Sequence, residues 1–163
     1  MNILFICTEA APFAKSGGLG DVMGALPREL MKKGVNAKVM MPLYRNIKAQ
    51  YFADMKQVAV FETHVSWRVK YCGLYSMEYD GVTFFFIDNE EYFARDAYYG
   101  YYDDGERFAY FCNAALDCVT LLPDFEPHIL HCNEWQTALI PVYLKTLYAQ
   151  STAHVGLRTV FTI

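Results

Sequence analysis

Three stretches of the chain combine side chains and backbone suited to chemistry. The first is Lys15-Ser16-Gly17-Gly18-Leu19-Gly20-Asp21, where one fixed positive charge stands beside backbone without side chains. Glycines leave N–H groups unshielded, and a helix N-terminus adds partial positive charge. Lys15, Gly17 and Gly18 therefore suit an anion such as the diphosphate of a nucleotide. The plain alternative is a Gly-rich strand-to-helix connection carrying a solvated lysine. Asp21 reads as a helix cap, or as a hydrogen-bond partner of the loop or its ligand. The second stretch is His131-Cys132-Asn133-Glu134-Trp135-Gln136, which offers an imidazole and a carboxylate. Each has a structural alternative: His131 as a satisfied core histidine, Glu134 as a first-turn acid facing the helix dipole, Trp135 as core packing. The third is Ala97-Tyr98-Tyr99-Gly100-Tyr101-Tyr102. Tyr98 and Tyr101 are candidates for stacking on a sugar or base, against the alternative of aromatics packed on neighbouring elements. Asp103-Asp104 reads as a solvated turn and not as a metal site, since no His or Cys lies nearby in sequence.

The elements that must position these residues follow from hydrophobic period. Ile3 to Cys7 is an apolar strand, and Thr8 to Gly17 a long loop. Leu19, Val22, Met23, Leu26 and Leu30 recur at helical spacing until Lys32-Lys33-Gly34 stops them. Val35 to Met41 is a second strand, so the opening is a βαβ unit and implies a parallel sheet. Residues 58–87 hold short β-rich runs, and Asp80-Gly81 is a hairpin signal. This region predicts an antiparallel insertion or edge. Phe84-Phe85-Phe86 reads as core strand, and Asp88 to Glu91 as a solvated helix start. Arg107 to Leu122 has helical period, with Phe108, Phe111, Ala115, Cys118, Val119 and Leu122 on one face. His128 to Cys132 is a buried strand. Asn133 with Gln136 predicts a capping box opening a helix whose apolar face is Trp135, Leu139, Tyr143 and Leu147. Gly156 to Ile163 is a last strand. The fold class is α/β, a Rossmann-like, doubly wound, mainly parallel sheet with an antiparallel insertion. Ligands of such sheets bind at the C-terminal strand ends, which puts the Gly-rich loop and the segment around Glu134 on one rim.

Composition narrows the function. The chain is 54% hydrophobic and 17% aromatic, as expected of a globular domain with its own core. A net charge of -4 and the lack of a basic run argue against nucleic acid and anionic membranes. No apolar run approaches the roughly 20 residues of a membrane span, and the N-terminus lacks signal-peptide character. Five cysteines without a C-x-x-C, four of them in apolar patterns, predict reduced thiols and a cytoplasmic setting. A nicotinamide enzyme fits poorly. The glycines come well after the first strand ends, and Met41-Pro42-Leu43-Tyr44-Arg45 offers no carboxylate for a ribose hydroxyl. A P-loop fails because Lys15-Ser16 precede the glycines.

Lys15-Ser16-Gly17-Gly18-Leu19-Gly20-Asp21-Val22 resembles the K-x-G-G-L-G-D-V signature of bacterial glycogen synthases and plant starch synthases. Thr8-Glu9-Ala10-Ala11-Pro12-Phe13 and Ala25-Leu26-Pro27 look like the flanks of the same signature. The segment from His131 to Gln136 resembles the family's H-x-[HN]-D-W-[HQ] element, with Glu134 where Asp is usual. The extra methylene keeps the charge and displaces the carboxylate by about 1.5 Å.

The resemblance implies a GT-B glycosyltransferase that moves glucose from ADP-glucose to the non-reducing end of an α-1,4-glucan with retention. It implies site roles for Lys15, Gly17, Gly18, Asp21, Glu134 and His131, and a donor-side tyrosine within the Tyr98–Tyr102 run. No metal or cofactor is implied. It further implies that residues 1–163 are part of the N-terminal, acceptor-side domain, with the nucleotide-binding domain elsewhere and this piece inactive alone. Two other readings remain at this stage. One is a non-catalytic carbohydrate-binding domain using Trp67 and the Tyr98–Tyr102 run; the other, less favoured, is the nicotinamide oxidoreductase.

Overall fold

The computed structural model describes residues 1–163. One seven-stranded sheet organises the chain, in the order β3-β4-β5-β2-β1-β6-β7. Its strands are β1 (Asn2–Ile6), β2 (Asn36–Pro42), β3 (Lys56–Val65), β4 (Arg68–Tyr79), β5 (Val82–Asp88), β6 (Ile129–Asn133) and β7 (Arg158–Thr162). β1 pairs in parallel with β2 and β6, β2 with β5, and β6 with β7. Only β3–β4 and β4–β5 are antiparallel, so the insertion expected over 58–87 is an antiparallel edge on a parallel sheet. The core follows the apolar strands. Leu4, Phe5 and Ile6 of β1, Val39 to Met41 of β2 and Phe85 to Ile87 of β5 are fully buried. Strands covered on both faces read as continuous apolar runs, which is why these three are plain in the sequence.

Turn chemistry fixes the antiparallel register. Asp80 and Gly81 both take positive φ, 50° and 76°, between the paired Tyr79 and Val82. A two-residue turn of that kind matches the twist of its strands. β4 runs through Gly73 unbroken. Gly73 lies where an added Cβ would meet the Tyr71 hydroxyl at 2.5 Å, so it serves close packing and not a turn. Trp67 stands exposed at the β3–β4 hairpin tip, with the Arg68 guanidinium over its ring.

The helices are α1 (Gly18–Met31), α2 (Arg45–Tyr51), α3 (Glu90–Phe93), α4 (Asp104–Val119) and α5 (Leu139–Lys145). α1 buries Gly20, Met23 and Pro27 and half-buries Leu19, Leu26 and Leu30; Val22, expected inside, faces solvent. Gly34 at φ +82° ends the segment, and the Val35 N–H closes on the Leu30 carbonyl at 3.2 Å. α4 starts three residues before Arg107, because Asp104 serves its first turn. Asn89 caps α3 by accepting from the Tyr92 N–H, but Asp88 and Asn89 are buried, not solvated: Lys48 pairs with Asp88 at 3.2 Å.

The junction after β6 departs most from expectation. Asn133 belongs to the strand, and its amide donates to the His131 carbonyl at 2.8 Å instead of capping a helix. A 3-10 turn, Trp135–Thr137, precedes α5. The Thr137 hydroxyl donates to the Asn133 and Glu134 carbonyls and does the local tethering. The late helix start shifts the phase, so Ile140 is buried while Trp135, Leu139 and Leu147 are exposed. Trp135 lies edge-on to Phe108, with ring centroids 5.3 Å apart.

Candidate functional site

The C-terminal ends of the parallel strands form one rim. After β1 comes the loop carrying Glu9, Lys15 and Gly17; after β2, Leu43 and Tyr44; after β6, Glu134. Four buried polar side-chain atoms in the molecule lack a partner, and three follow these strand ends: Thr8 Oγ1, Tyr44 OH and Gln136 Oε1. Unmatched buried polar atoms are costly and gather where a fold serves something besides stability.

The glycines divide into two pairs with different uses. A Cβ on Gly20 would come 2.9 Å from the Lys15 Cβ, and one on Gly24 would come 2.8 Å from the Ala11 carbonyl. Those two let α1 lie against the loop, and the Ala11 N–H donates to the Gly20 carbonyl at 2.9 Å. Gly17 and Gly18 have nothing within 4 Å of an added Cβ. Gly17 is the N-cap residue of α1, and it makes no side-chain cap. The backbone of this helix start is therefore open to close approach, and its first-turn N–H groups have no side-chain cap, as an anion site requires. Lys15 lies beside them, with its Nζ 2.7 Å from Asp21 Oδ1 and both side chains more than half exposed. Asp21 therefore partners Lys15 and does not cap the helix.

This division gives opposite expectations for stability and function. Gly18 is helical with negative φ and open surroundings, so Gly18→Ala should stabilise the fold by about 0.5–1 kcal/mol. If a phosphate must approach that backbone, the same methyl in the full-length protein should lower turnover of a phosphate-bearing substrate roughly tenfold or more. Denaturant melts and donor kinetics on one preparation check both signs. A variant both more stable and fully active would remove Gly18 from the site.

Glu9 is the residue that the sequence reading passed over. It is 2% exposed and holds two loops together. Its carboxylate accepts from the Ser16 N–H, from the Ser16 hydroxyl at 2.8 Å and from the Tyr99 hydroxyl. Ser16 Oγ and the Tyr99 hydroxyl also touch. Burial alone would raise its pKa, but the hydrogen bonds from Tyr99, Ser16 and the Gly17 backbone outweigh it and hold Glu9 below the usual carboxylate range. The available signal was an acid directly after a buried strand and before a Gly-rich loop.

The tyrosine loop is braced from below by Arg107, which is fully buried. Its guanidinium donates to the Tyr92 carbonyl at 2.7 Å, to Asp104 and to the Tyr98 carbonyl at 3.2 Å. Asp104 accepts from the Gly100 and Tyr101 N–H groups, and Asp103 pairs with Arg95 at 2.8 Å. The two aspartates thus shape the loop through ion pairs and are not a merely solvated turn. Within the loop, Tyr99 reaches the Gly-rich segment. Tyr98 lies against Tyr44, with centroids 4.7 Å apart, and lines a cavity shared with Tyr99 and Ser16. The Tyr101 hydroxyl accepts from the Ala97 N–H at 2.8 Å, and its ring lies under Arg95 and Arg107, so it is occupied inside the loop.

Glu134 sits half-buried at the end of β6 with φ +65°, in the left-handed region that non-glycine residues rarely adopt. Its N–H donates to the Thr162 carbonyl at 2.9 Å. Its charge is one of the influences raising the Tyr99 pKa, after burial and the bond to Glu9, which joins Glu134 to the same rim. His131 lies three residues back along the chain, 4.9 Å from the Phe5 ring centroid, with Nε2 2.9 Å from Thr162 Oγ1. Burial pushes its pKa down. All five cysteines are free and buried, and burial pushes Cys112 and Cys132 up to about 12, away from the thiolate form. No three His, Cys, Asp or Glu side chains converge to hold a metal ion. No helix is long and apolar enough to cross a membrane.

A mainly parallel, Rossmann-like sheet with a lysine and an open helix start on its C-terminal rim is consistent with the N-terminal domain of a GT-B glycosyltransferase. A family model described as the starch synthase catalytic domain matches residues 2–163, and the chain belongs to that family. The chain is 47% identical over 163 residues to a glycogen synthase of Anoxybacillus flavithermus, covering all of this chain and 34% of the relative. Against a glycogen synthase of Geobacillus stearothermophilus it is 50% identical over 165 residues, covering 33% of that protein. The solved catalytic domain of Starch Synthase IV from Arabidopsis thaliana, bound to ADP and acarbose, superposes with a TM-score of 0.83 at 30% identity. That match covers 98% of this chain and 33% of that one. The chain thus spans about a third of the length of the relatives it matches.

Proposed function

We propose that residues 1–163 form the acceptor-side part of a two-domain glucosyltransferase. The full-length protein transfers glucose from ADP-glucose to the non-reducing end of an α-1,4-glucan with retention. The observation that carries this reading is the open start of α1 at Gly17 and Gly18, with Lys15 beside it, in a chain of the starch synthase family. As the anomeric C–O bond breaks, negative charge builds on the departing diphosphate. The Lys15 ammonium and the first-turn N–H groups of α1 stabilise that charge from fixed positions and need no metal to do so. We assign Glu134, whose charge is felt at Tyr99, to the sugar end of the same rim. His131 steadies that corner through Thr162, whose hydroxyl it contacts and whose carbonyl receives the Glu134 N–H.

Exposed apolar side chains on β7 and α5, among them Phe161, Val160, Val142 and Leu139, support placement within a larger molecule. Five buried, free thiols suit a reducing, cytoplasmic setting. The test is labelled-glucose transfer to glycogen by the full-length protein, from ADP-glucose and from UDP-glucose. We expect transfer with ADP-glucose preferred. Glucan binding without transfer from either donor would favour the non-catalytic carbohydrate-binding alternative instead.

A further inference from the structure

The Tyr99 hydroxyl meets Glu9 and Ser16, and Ser16 stands between Lys15 and Gly17, so the Gly-rich loop depends on where the Tyr99 ring points. The peptide units on both sides of Tyr99 are held from within. In the unit before it, the Tyr98 carbonyl accepts from Arg107 Nη2 at 3.2 Å. In the unit after it, the Gly100 N–H donates to Asp104 Oδ2 at 2.6 Å, and the Tyr101 N–H donates to the same oxygen at 3.1 Å. The other oxygen, Asp104 Oδ1, accepts from Arg107 Nη1, so the two anchors are a single ion pair. A third bond, from Arg107 Nε to the Tyr92 carbonyl at 2.7 Å, ties the pair to α3. The Arg107 side chain is fully buried and that of Asp104 is 15% exposed, so water competes little for these bonds. Fixing the two flanking peptide planes fixes the direction of the Tyr99 Cα–Cβ bond, because only φ and ψ lie between them.

We propose that Arg107 is a positioning residue for glucose transfer: through its ion pair with Asp104 it holds both peptide units of Tyr99 and so aims that ring at the Gly-rich loop. The assignment rests on the transferase reading above. Arg107 acts through Tyr99 and lies beneath the loop, away from the open start of α1. Lysine is a poor substitute, because one ammonium cannot reach the carboxylate and the two carbonyls that a planar fork spans. The test is a double-mutant cycle in the full-length protein, with Arg107→Lys, Tyr99→Phe and the two combined. Each is assayed for glucose transfer from ADP-glucose to glycogen, and amide hydrogen exchange is followed at Ser16 and in β1 and β2.

Arg107→Lys should lower kcat roughly tenfold and leave the KM for ADP-glucose within about threefold. In the Tyr99→Phe background the same substitution should cost less than about twofold, because the hydroxyl that it aims is already gone. Exchange at Ser16, whose N–H donates to Glu9, should quicken roughly fivefold or more while β1 and β2 stay protected. Losses that multiply across the cycle, an unchanged kcat, or unchanged exchange at Ser16 overturn the assignment, since an arginine serving stability alone adds its effect to that of Tyr99. If Arg107→Lys does not fold, Asp104→Ala carries the test with the same expectations, because it cuts the ion pair and frees the Gly100 and Tyr101 N–H groups. If the parent protein transfers no glucose, the transferase reading falls and exchange decides alone. Faster exchange at Ser16 in the variant then keeps Arg107 as the residue that positions the two loops, and unchanged exchange removes it.

Discussion

Lys15→Ala in the full-length protein should lower glucose transfer from ADP-glucose by about 100-fold or more while leaving the fold intact. The side chain is about half exposed, and its one ionic partner is the exposed Asp21. A pair so placed contributes about 0–1 kcal/mol to stability. Alanine also keeps the Cβ, the atom that packs beside Gly20. Loss of activity therefore cannot be charged to unfolding, and a thermal melt within about 0.5 kcal/mol of the parent would document this. The loss should appear in kcat, because the charge Lys15 faces is largest as the diphosphate departs. Lys15→Arg separates charge from shape: a guanidinium keeps the charge but not the compact ammonium, so partial recovery is expected. Full activity of Lys15→Ala would remove Lys15 from the phosphates and leave the open helix start as the anion site by itself.

What the sequence disclosed depended on how local each cause was. The two-sided burial of β1, β2 and β5 shows as continuous apolar runs, and Asp80-Gly81 states its own turn, so sheet class and antiparallel edge were legible. Phase was not. α5 could not be placed by period alone, because a 3-10 turn and a strand end at Asn133 delay the helix and bring Ile140 inward. Lys15, Gly17 and Gly18 were legible because their chemistry is carried by adjacent residues. Gly20 and Gly24 looked identical to them in sequence, and only the approach of α1 to Lys15 and Ala11 separates packing glycines from open ones. The tyrosine run was the least legible. Four tyrosines of one composition take different tasks: Tyr99 reaches Glu9, Tyr98 lines the cavity, Tyr101 braces the loop and Tyr102 is fully exposed. The partners that sort them, Glu9, Tyr44 and Arg107, lie elsewhere in the chain.

Glu9→Gln is expected to lower kcat by about 10–100-fold, the scale set by loss of positioning at a reacting centre. An ionised carboxylate only accepts, and Glu9 receives donors from Ser16 and Tyr99. An amide of the same shape can bond the Ser16 and Tyr99 hydroxyls only if they turn to accept, and it loses the charge that strengthens every one of these bonds, so the two loops are held less firmly. A competing effect is the loss of a negative charge near the phosphate end, which by Coulomb attraction alone would tighten donor binding. Charge acting alone predicts a lower KM for ADP-glucose and unchanged kcat. Positioning predicts the fall in kcat, reproduced in part by Tyr99→Phe, which removes one donor. Glu9→Asp should not restore the rate, since the carboxylate retreats by about 1.5 Å. Acid should mimic Glu9→Gln. Because the folded pKa lies below the ordinary 4.5, the stabilisation from Glu9 is complete above that value and is lost as pH falls through the lower folded value. Glu9→Gln should therefore flatten this acid limb of the stability profile while leaving the neutral plateau lower. An unaltered acid limb with unchanged kcat would show that the two loops hold their places without this carboxylate.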